Sequence, residues 1–308
     1  MKETISLSHS KLSDFNKCKR FYYLRHIELI FPRSKKASLR FGGIFHKAIE
    51  DLYKGESISS IQNNIKHTID SVDRSFFEQK DTDALNWSET VLSAAVDAWM
   101  RKFYTKDIEG GIEFVQLEKK YKGLGIFNPD STKKSIRAKF SFISDMVIRK
   151  DGKLWLVEYK TAAQIGDDYI SRLDIDSQVS AYIFYLEQEL GEKIEGIIYR
   201  VLKKPGIRLK KNETPTQFYI RLGELFTEKS DEYLMEYVFH RSKEEIADFR
   251  SDLWQEAQYV LSAHRSNTWP RNTQSCVMYG RCEYFPICKK QPRAEMMFKK
   301  GEDRNAAN

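Results

Sequence analysis

The stretch from Ser144 to Thr161 carries the residues most able to do chemistry, an Asp145 and a Glu158-x-Lys160 set in two apolar runs that flank Asp151-Gly152. Asp-Gly between apolar strands is the strongest short hairpin signal, because both positions of a type I′ turn need a positive φ. Counting outward from that turn places Asp145 directly opposite Glu158, with Cβ atoms about 4.5–5.5 Å apart across neighbouring strands. Carboxylates that close can share one divalent cation through oxygen bonds of about 2.0–2.2 Å. Lys160 lies two residues beyond Glu158 and therefore points to the same face. The bland alternative is an exposed face on which Lys160 merely pairs with Glu158. Against it stands the unbroken apolar run Leu154, Trp155, Leu156 and Val157, which suits a strand covered on both faces. Opposed carboxylates in such surroundings resist desolvation unless a cation neutralises them or one takes up a proton.

Three further groups could serve this pair. Gln178 and Tyr182 stand four residues apart on an expected helix, so they share a face and both can donate hydrogen bonds, although this spacing is common on surface helices. His46 follows Gly42-Gly43 in the first turns of an expected helix that starts near the glycine pair. Histidine is a frequent metal ligand, but a lone one is more often a satisfied core or surface residue. The four cysteines are Cys18, alone near one end, and Cys276, Cys282 and Cys288 near the other, spaced C-x5-C-x5-C. Soft thiolates suit tetrahedral zinc or a cubane iron-sulfur cluster. The two close cysteine pairs usual for structural zinc are missing, and three ligands from one loop plus a distant fourth look more like a cluster. Disulfides and independent buried thiols are the remaining readings.

These residues need a scaffold. Strand-like segments cover Glu113 to Tyr121, Ile136 to Arg149, Lys153 to Tyr159 and Ile194 to Leu202, which implies a central sheet. Of four helical stretches near the start, the clearest is 58–76, where Ile58, Ile61, Ile65, Ile69, Val72 and Phe76 recur every three or four positions. Residues 171–190 also have helical spacing and stop at Gly191. Helices are further expected over 215–236 and 242–264, and a disordered tail from about Gln291. With 41% hydrophobic and 13% aromatic residues among 308, the chain can bury a large core. No internal repeat or linker breaks it, so a single α/β domain with a helical N-terminal elaboration is expected.

The start is polar and no apolar run is long enough to span a membrane; the expected location is a cytoplasm, the host's if the chain is viral. The net charge of +7 recurs in clusters, Lys133-Lys134 with Arg137 and Lys139, and Lys203-Lys204 with Arg208, Lys210 and Lys211. Such clusters suit phosphate backbones, although charge this modest equally serves to solvate a surface.

Taken in order, His46, Asp145, Glu158-x-Lys160 and Gln178-x-x-x-Tyr182, flanked by Cys18 and the three late cysteines, resemble the RecB-like PD-(D/E)XK nucleases with an iron-sulfur cluster, a layout shared by AddB-type and CRISPR-associated relatives. The resemblance spans roughly residues 10 to 290. It implies a restriction-endonuclease-like core with a central mixed sheet flanked by helices: a helical part over about 10–106, a catalytic sheet over about 112–202, and helices with a cysteine-rich segment over about 215–290. It implies that His46, Asp145, Glu158 and the backbone carbonyl of Tyr159 hold Mg²⁺ or Mn²⁺, that Lys160 positions the attacking water, and that Gln178 and Tyr182 organise the site and the DNA. It also implies that Cys18, Cys276, Cys282 and Cys288 hold a 4Fe-4S cluster, with zinc as the alternative. Two departures are visible: Glu158 stands where aspartate is more usual, and the first C-terminal cysteine spacing is five residues where many members have two.

The function this implies is metal-dependent hydrolysis of DNA phosphodiester bonds, as an exonuclease on single-stranded ends in recombination, repair or viral DNA processing. A bound cation would lower the pKa of its water and offset charge building on the phosphate. The expected partners are DNA with free ends and a helicase or recombination protein, and no membrane. The competing reading, from another class, is a non-catalytic nucleic-acid-binding protein with a structural zinc or iron-sulfur site.

Overall fold

The structure, a computed structural model, describes residues 4–33, 37–72, 74–75, 79–131, 133–278 and 280–301. Among these the strands are β1 (Ile5–Leu7), β2 (Ile30–Pro32), β3 (Glu113–Phe127), β4 (Lys134–Lys150), β5 (Lys153–Ala162), β6 (Ile194–Lys203), β7 (Leu234–Phe239) and β8 (Phe298–Lys300). The architecture is α/β, with a mixed sheet and flanking helices, as expected. The chain separates into two compact units, one comprising residues 35–119 and 143–241, the other 1–34, 120–142 and 242–308.

The larger unit is built on the order β4-β5-β6-β7. β4 and β5 form the expected hairpin, with Asp151 at φ 53° and Gly152 at φ 73°, the two positive values of a type I′ turn. Its register pairs Met146 with Val157, Ile148 with Trp155 and Lys150 with Lys153. The same register continued one position outward meets at Asp145 and Glu158, just beyond the last pair of the ladder. β5 and β6 run parallel, joined by the helices Asp167–Asp174 and Ser177–Leu190, the second ending on Gly191 in the left-handed conformation.

One face of this sheet contributes Met146, Ile148, Val157, Tyr159, Ile198 and Leu202 to a core shared with the helices Ala37–Tyr53, Ile58–Asp70, Gln79–Trp99 and Pro215–Glu228. Within it Trp99 meets Tyr159 edge-on at 5.5 Å. In Ile58–Asp70 the expected apolar stripe is buried through Ile61, Ile65 and Ile69. That helix ends before residue 76, and Phe76 lies outside the described residues.

The segment 215–236, expected as one helix, is instead the helix Pro215–Glu228, a short turn Ser230–Tyr233, and then β7. β7 pairs antiparallel with β6, from Leu202 opposite Leu234 to Ile197 opposite Phe239. Its pairing with β6 outweighs local helical spacing, and Leu234 is buried at the start of that ladder.

In the smaller unit β1 runs parallel to the first half of β4, with Ser6 opposite Lys139. The helix Lys243–Ser266 opens with a capping box between Ser242 and Glu245. A small core joins Phe21, Leu24, Tyr284 and Phe298, with cysteines packed against it. Disorder was expected from Gln291, but Ala294–Met297 forms a 3-10 turn and β8 pairs antiparallel with β2, Pro32 opposite Phe298. Phe298 stacks on Tyr284 at 5.7 Å, an apolar anchor that the polar composition of this segment hides. Residues 302–308 lie outside the described set.

Candidate metal centre

Alternation along β4 and β5 puts Met146 and Val157 into the core and turns Asp145, Glu158 and Lys160 to the opposite face. Asp145 is 9% exposed and Glu158 is 2% exposed. The backbone N–H of Tyr159 donates to Asp145 Oδ2 at 2.8 Å, which fixes the carboxylate beside the end of the hairpin ladder. His46 Nδ1 lies 3.5 Å from the same oxygen. The helix bearing His46 begins well before the glycine pair, at Ala37, so Gly42 and Gly43 lie inside it and are no starting loop. A Cβ at Gly42 would come within 3.3 Å of Thr161 Oγ1; the missing side chain lets this helix approach β5 closely.

A third group completes the cluster. Ligand atoms of His46, Glu118 and Asp145 lie within 4.8 Å of one another, the arrangement among the described residues that could hold a metal ion. Sequence reading placed Glu158 with His46 and Asp145 and missed Glu118. Glu118 comes from β3, outside the hairpin whose register could be counted. Nothing in Leu117-Glu118-Lys119 distinguishes it from a surface strand residue. It adopts φ 43°, a left-handed conformation uncommon for residues other than glycine.

On β5, Lys160 Nζ lies 3.4 Å from Glu158 Oε2 and donates to Gln178 Oε1 at 3.1 Å. Gln178 Nε2 donates in turn to Tyr182 Oη at 2.7 Å. Both partners stand on one face of the helix Ser177–Leu190, whose N-terminus is capped by Asp176 accepting from the Gln178 N–H. The structure thus brings His46, Asp145, Glu158, Lys160, Gln178 and Tyr182 together within the larger unit.

The electrostatics are those of buried carboxylates crowded against one another. Burial, and then the charge of Asp145, push the Glu158 carboxyl well above the ordinary range, with Lys160 acting in the opposite direction. Burial and the charges of Asp145 and Glu50 push Glu118 up to about 7, against the pull of His46 and Lys54. Burial disfavours the Lys160 ammonium, but Glu158, Asp145 and Asp176 outweigh that and raise its pKa, keeping it charged. Burial chiefly raises the Tyr182 phenol, which stays protonated. Glu158 Oε1 is buried and has no hydrogen-bond partner. Leaving such an oxygen unpaired is costly, and a hard divalent cation, which takes carboxylate oxygens, fits the donor set.

In the smaller unit Cys18, Cys276, Cys282 and Cys288 line a single pocket with Lys17, Phe21 and Arg271 among its other walls. None of the four is in a disulfide. The Asn272 N–H donates to Cys18 Sγ at 3.3 Å. Burial pushes the Cys282 and Cys288 thiols up, partly offset by Lys17 and Arg20 respectively.

The family model of the PD-(D/E)XK nuclease superfamily matches residues 6–289. The chain belongs to this superfamily of nucleases, whose members use divalent metal ions such as Mg²⁺ or Mn²⁺. No curated protein sequence matches it. Among solved structures, the crystal structure of SSO0001 is 14% identical, covering 74% of this chain and 78% of that one, with a TM-score of 0.28. Among the described residues no helix is long and apolar enough to cross a membrane.

Proposed function

We propose that the chain is a Mg²⁺- or Mn²⁺-dependent deoxyribonuclease of the RecB-like branch, hydrolysing DNA phosphodiester bonds from single-stranded ends. The observation that carries the hydrolytic reading is the pair Asp145 and Glu158, buried face to face with Glu158 Oε1 unpaired. In this reading His46, Asp145, Glu158 and the Tyr159 carbonyl hold the cation. When bound, the ion offsets charge on the scissile phosphate and makes a water nucleophilic at neutral pH.

The chain's own groups supply orientation. Lys160 Nζ, held between Glu158 Oε2 and Gln178 Oε1, has a further N–H to donate to the attacking water. Tyr182 fixes the Gln178 amide, and so holds the lysine in place. The preference for single-stranded ends rests on the ordered motif set alone. The same reading gives the four thiols of the second pocket a 4Fe-4S cluster, with zinc as the other metal that thiolates favour; their convergence on one pocket supports a shared ligand.

End-labelled single- and double-stranded oligonucleotides, incubated with Mg²⁺ or Mn²⁺ with and without EDTA, test the reading. It expects chelator-sensitive release of short products from single strands. Tight DNA binding with no cleavage under any divalent metal would favour a non-catalytic binding protein and overturn it.

A further inference from the structure

The hairpin positions only Asp145 and Glu158, and a cation that offers six coordination positions needs more than these. His46 reaches the cluster from the helix Ala37–Tyr53 and Glu118 from β3, so that ligand atoms of His46, Glu118 and Asp145 fall within 4.8 Å of one another. A basic or polar neighbour would explain a lone carboxylate at that point. Here the charges that act on it include Asp145 and Glu50 as well as His46 and Lys54, so Glu118 adds negative charge where negative charge is already crowded. A carboxylate placed against others costs free energy unless a cation sits among them. A second observation points the same way: Glu158, across from Asp145 on the same face of the hairpin, is 2% exposed and keeps Oε1 without a hydrogen-bond partner. The group therefore has more acceptor oxygens than the protein itself satisfies.

We infer that Glu118 is a direct ligand of the catalytic cation, completing with His46 and Asp145 a site for a divalent ion of the Mg²⁺ or Mn²⁺ type. This rests on the nuclease reading of the same centre. It adds a ligand from a strand outside the hairpin motif, and its consequence is that binding is shared by four separate elements: helix, β3, β4 and β5. The rival role for Glu118 is structural, as an ion-pair partner of His46 or Lys54.

Mn²⁺ titration by calorimetry, with water-proton relaxation to count the waters on the bound ion, separates these roles without reference to turnover. For Glu118→Ala we expect Mn²⁺ affinity to fall at least tenfold and the number of coordinated waters to rise by one, as solvent takes the position the carboxylate leaves. Glu118→Gln, close in shape, should lose affinity similarly while keeping the parent's circular dichroism and, without metal, a melting temperature equal to or above the parent's. Mn²⁺ affinity within twofold of the parent in both variants, with an unchanged water count, would overturn the inference. Asp145→Asn is the control for the underlying reading. Loss of Mn²⁺ binding in Asp145→Asn with none in the Glu118 variants sinks the Glu118 assignment alone, whereas parent-like Mn²⁺ binding in Asp145→Asn sinks the metal centre and the inference with it.

Discussion

Lys160 donates to Gln178 at 3.1 Å, a contact that joins the end of the β4–β5 hairpin to the crossover helix between two parallel strands. The lysine could pair with Glu158 alone; the second partner fixes its direction. Replacing Gln178 by leucine should therefore leave Mn²⁺ affinity unchanged and lower kcat about tenfold, the usual scale for a partner that orients a reacting group. Lys160→Met, which removes the donor itself, should lower kcat by on the order of 10²–10³. The check is kcat and Mn²⁺ affinity measured on the same preparations. Equal kcat in Gln178→Leu and the parent would show that the contact orients nothing.

In the metal-free folded protein Glu118 titrates near 7 against an ordinary value of 4.5. A carboxyl raised on folding contributes stability that is present below its unfolded value and lost as pH rises through its folded one. EDTA-treated protein should lose part of its melting temperature between pH 5 and pH 7.5 through this group, and Glu118→Gln should flatten that loss. Mn²⁺ should raise the melting temperature more at pH 7.5 than at pH 5, because protons compete for the same oxygens. Identical pH profiles for parent and Glu118→Gln in EDTA would contradict this.

The hairpin was legible because its turn fixes a register. Asp151-Gly152 set both the turn and the pairing from Met146 to Lys150, and side-chain alternation did the rest. That Gln178 and Tyr182 share a helix face was legible from their spacing, and Gly191 from its role as a helix stop. β7 was not, since Leu234–Phe239 becomes a strand only because β6 lies beside it. Glu118 was not either: its place depends on how β3 lies against the hairpin, which no local pattern encodes. β8 was hidden by a polar tail whose aromatic anchor is Phe298.

Cys18 shares a pocket with Cys276, Cys282 and Cys288 despite lying near the opposite end of the chain. If they hold one cluster, its bonds close a very long loop and become folding energy. Anaerobically purified protein should be brown and contain iron and acid-labile sulfide, and Cys18→Ser should lose colour and melt at a lower temperature. Stoichiometric zinc without iron would replace the cluster by a zinc site. Unchanged metal content and melting temperature in Cys18→Ser would remove Cys18 from the ligand set.

DNA binding should weaken steeply with salt. The segment from Lys133 to Lys139 holds Lys133, Lys134, Arg137 and Lys139 with no acidic residue, and each phosphate neutralised releases counterions. Exchanging Lys133 and Lys134 for glutamine should lower affinity for single strands and reduce the slope of log Kd against log salt by roughly one to two. An unchanged slope would place the DNA elsewhere.

Single-turnover cleavage of an end-labelled oligonucleotide with Mn²⁺ shows whether Asp145 and Glu158 hold the cation on which hydrolysis depends. Asp145→Asn and Glu158→Gln should each cut at least on the order of 10³-fold more slowly than the parent, the scale of losing a principal electrostatic contact in a transition state, while DNA affinity stays within a few-fold. Metal-dependent cleavage at the parent rate in either variant would contradict that role.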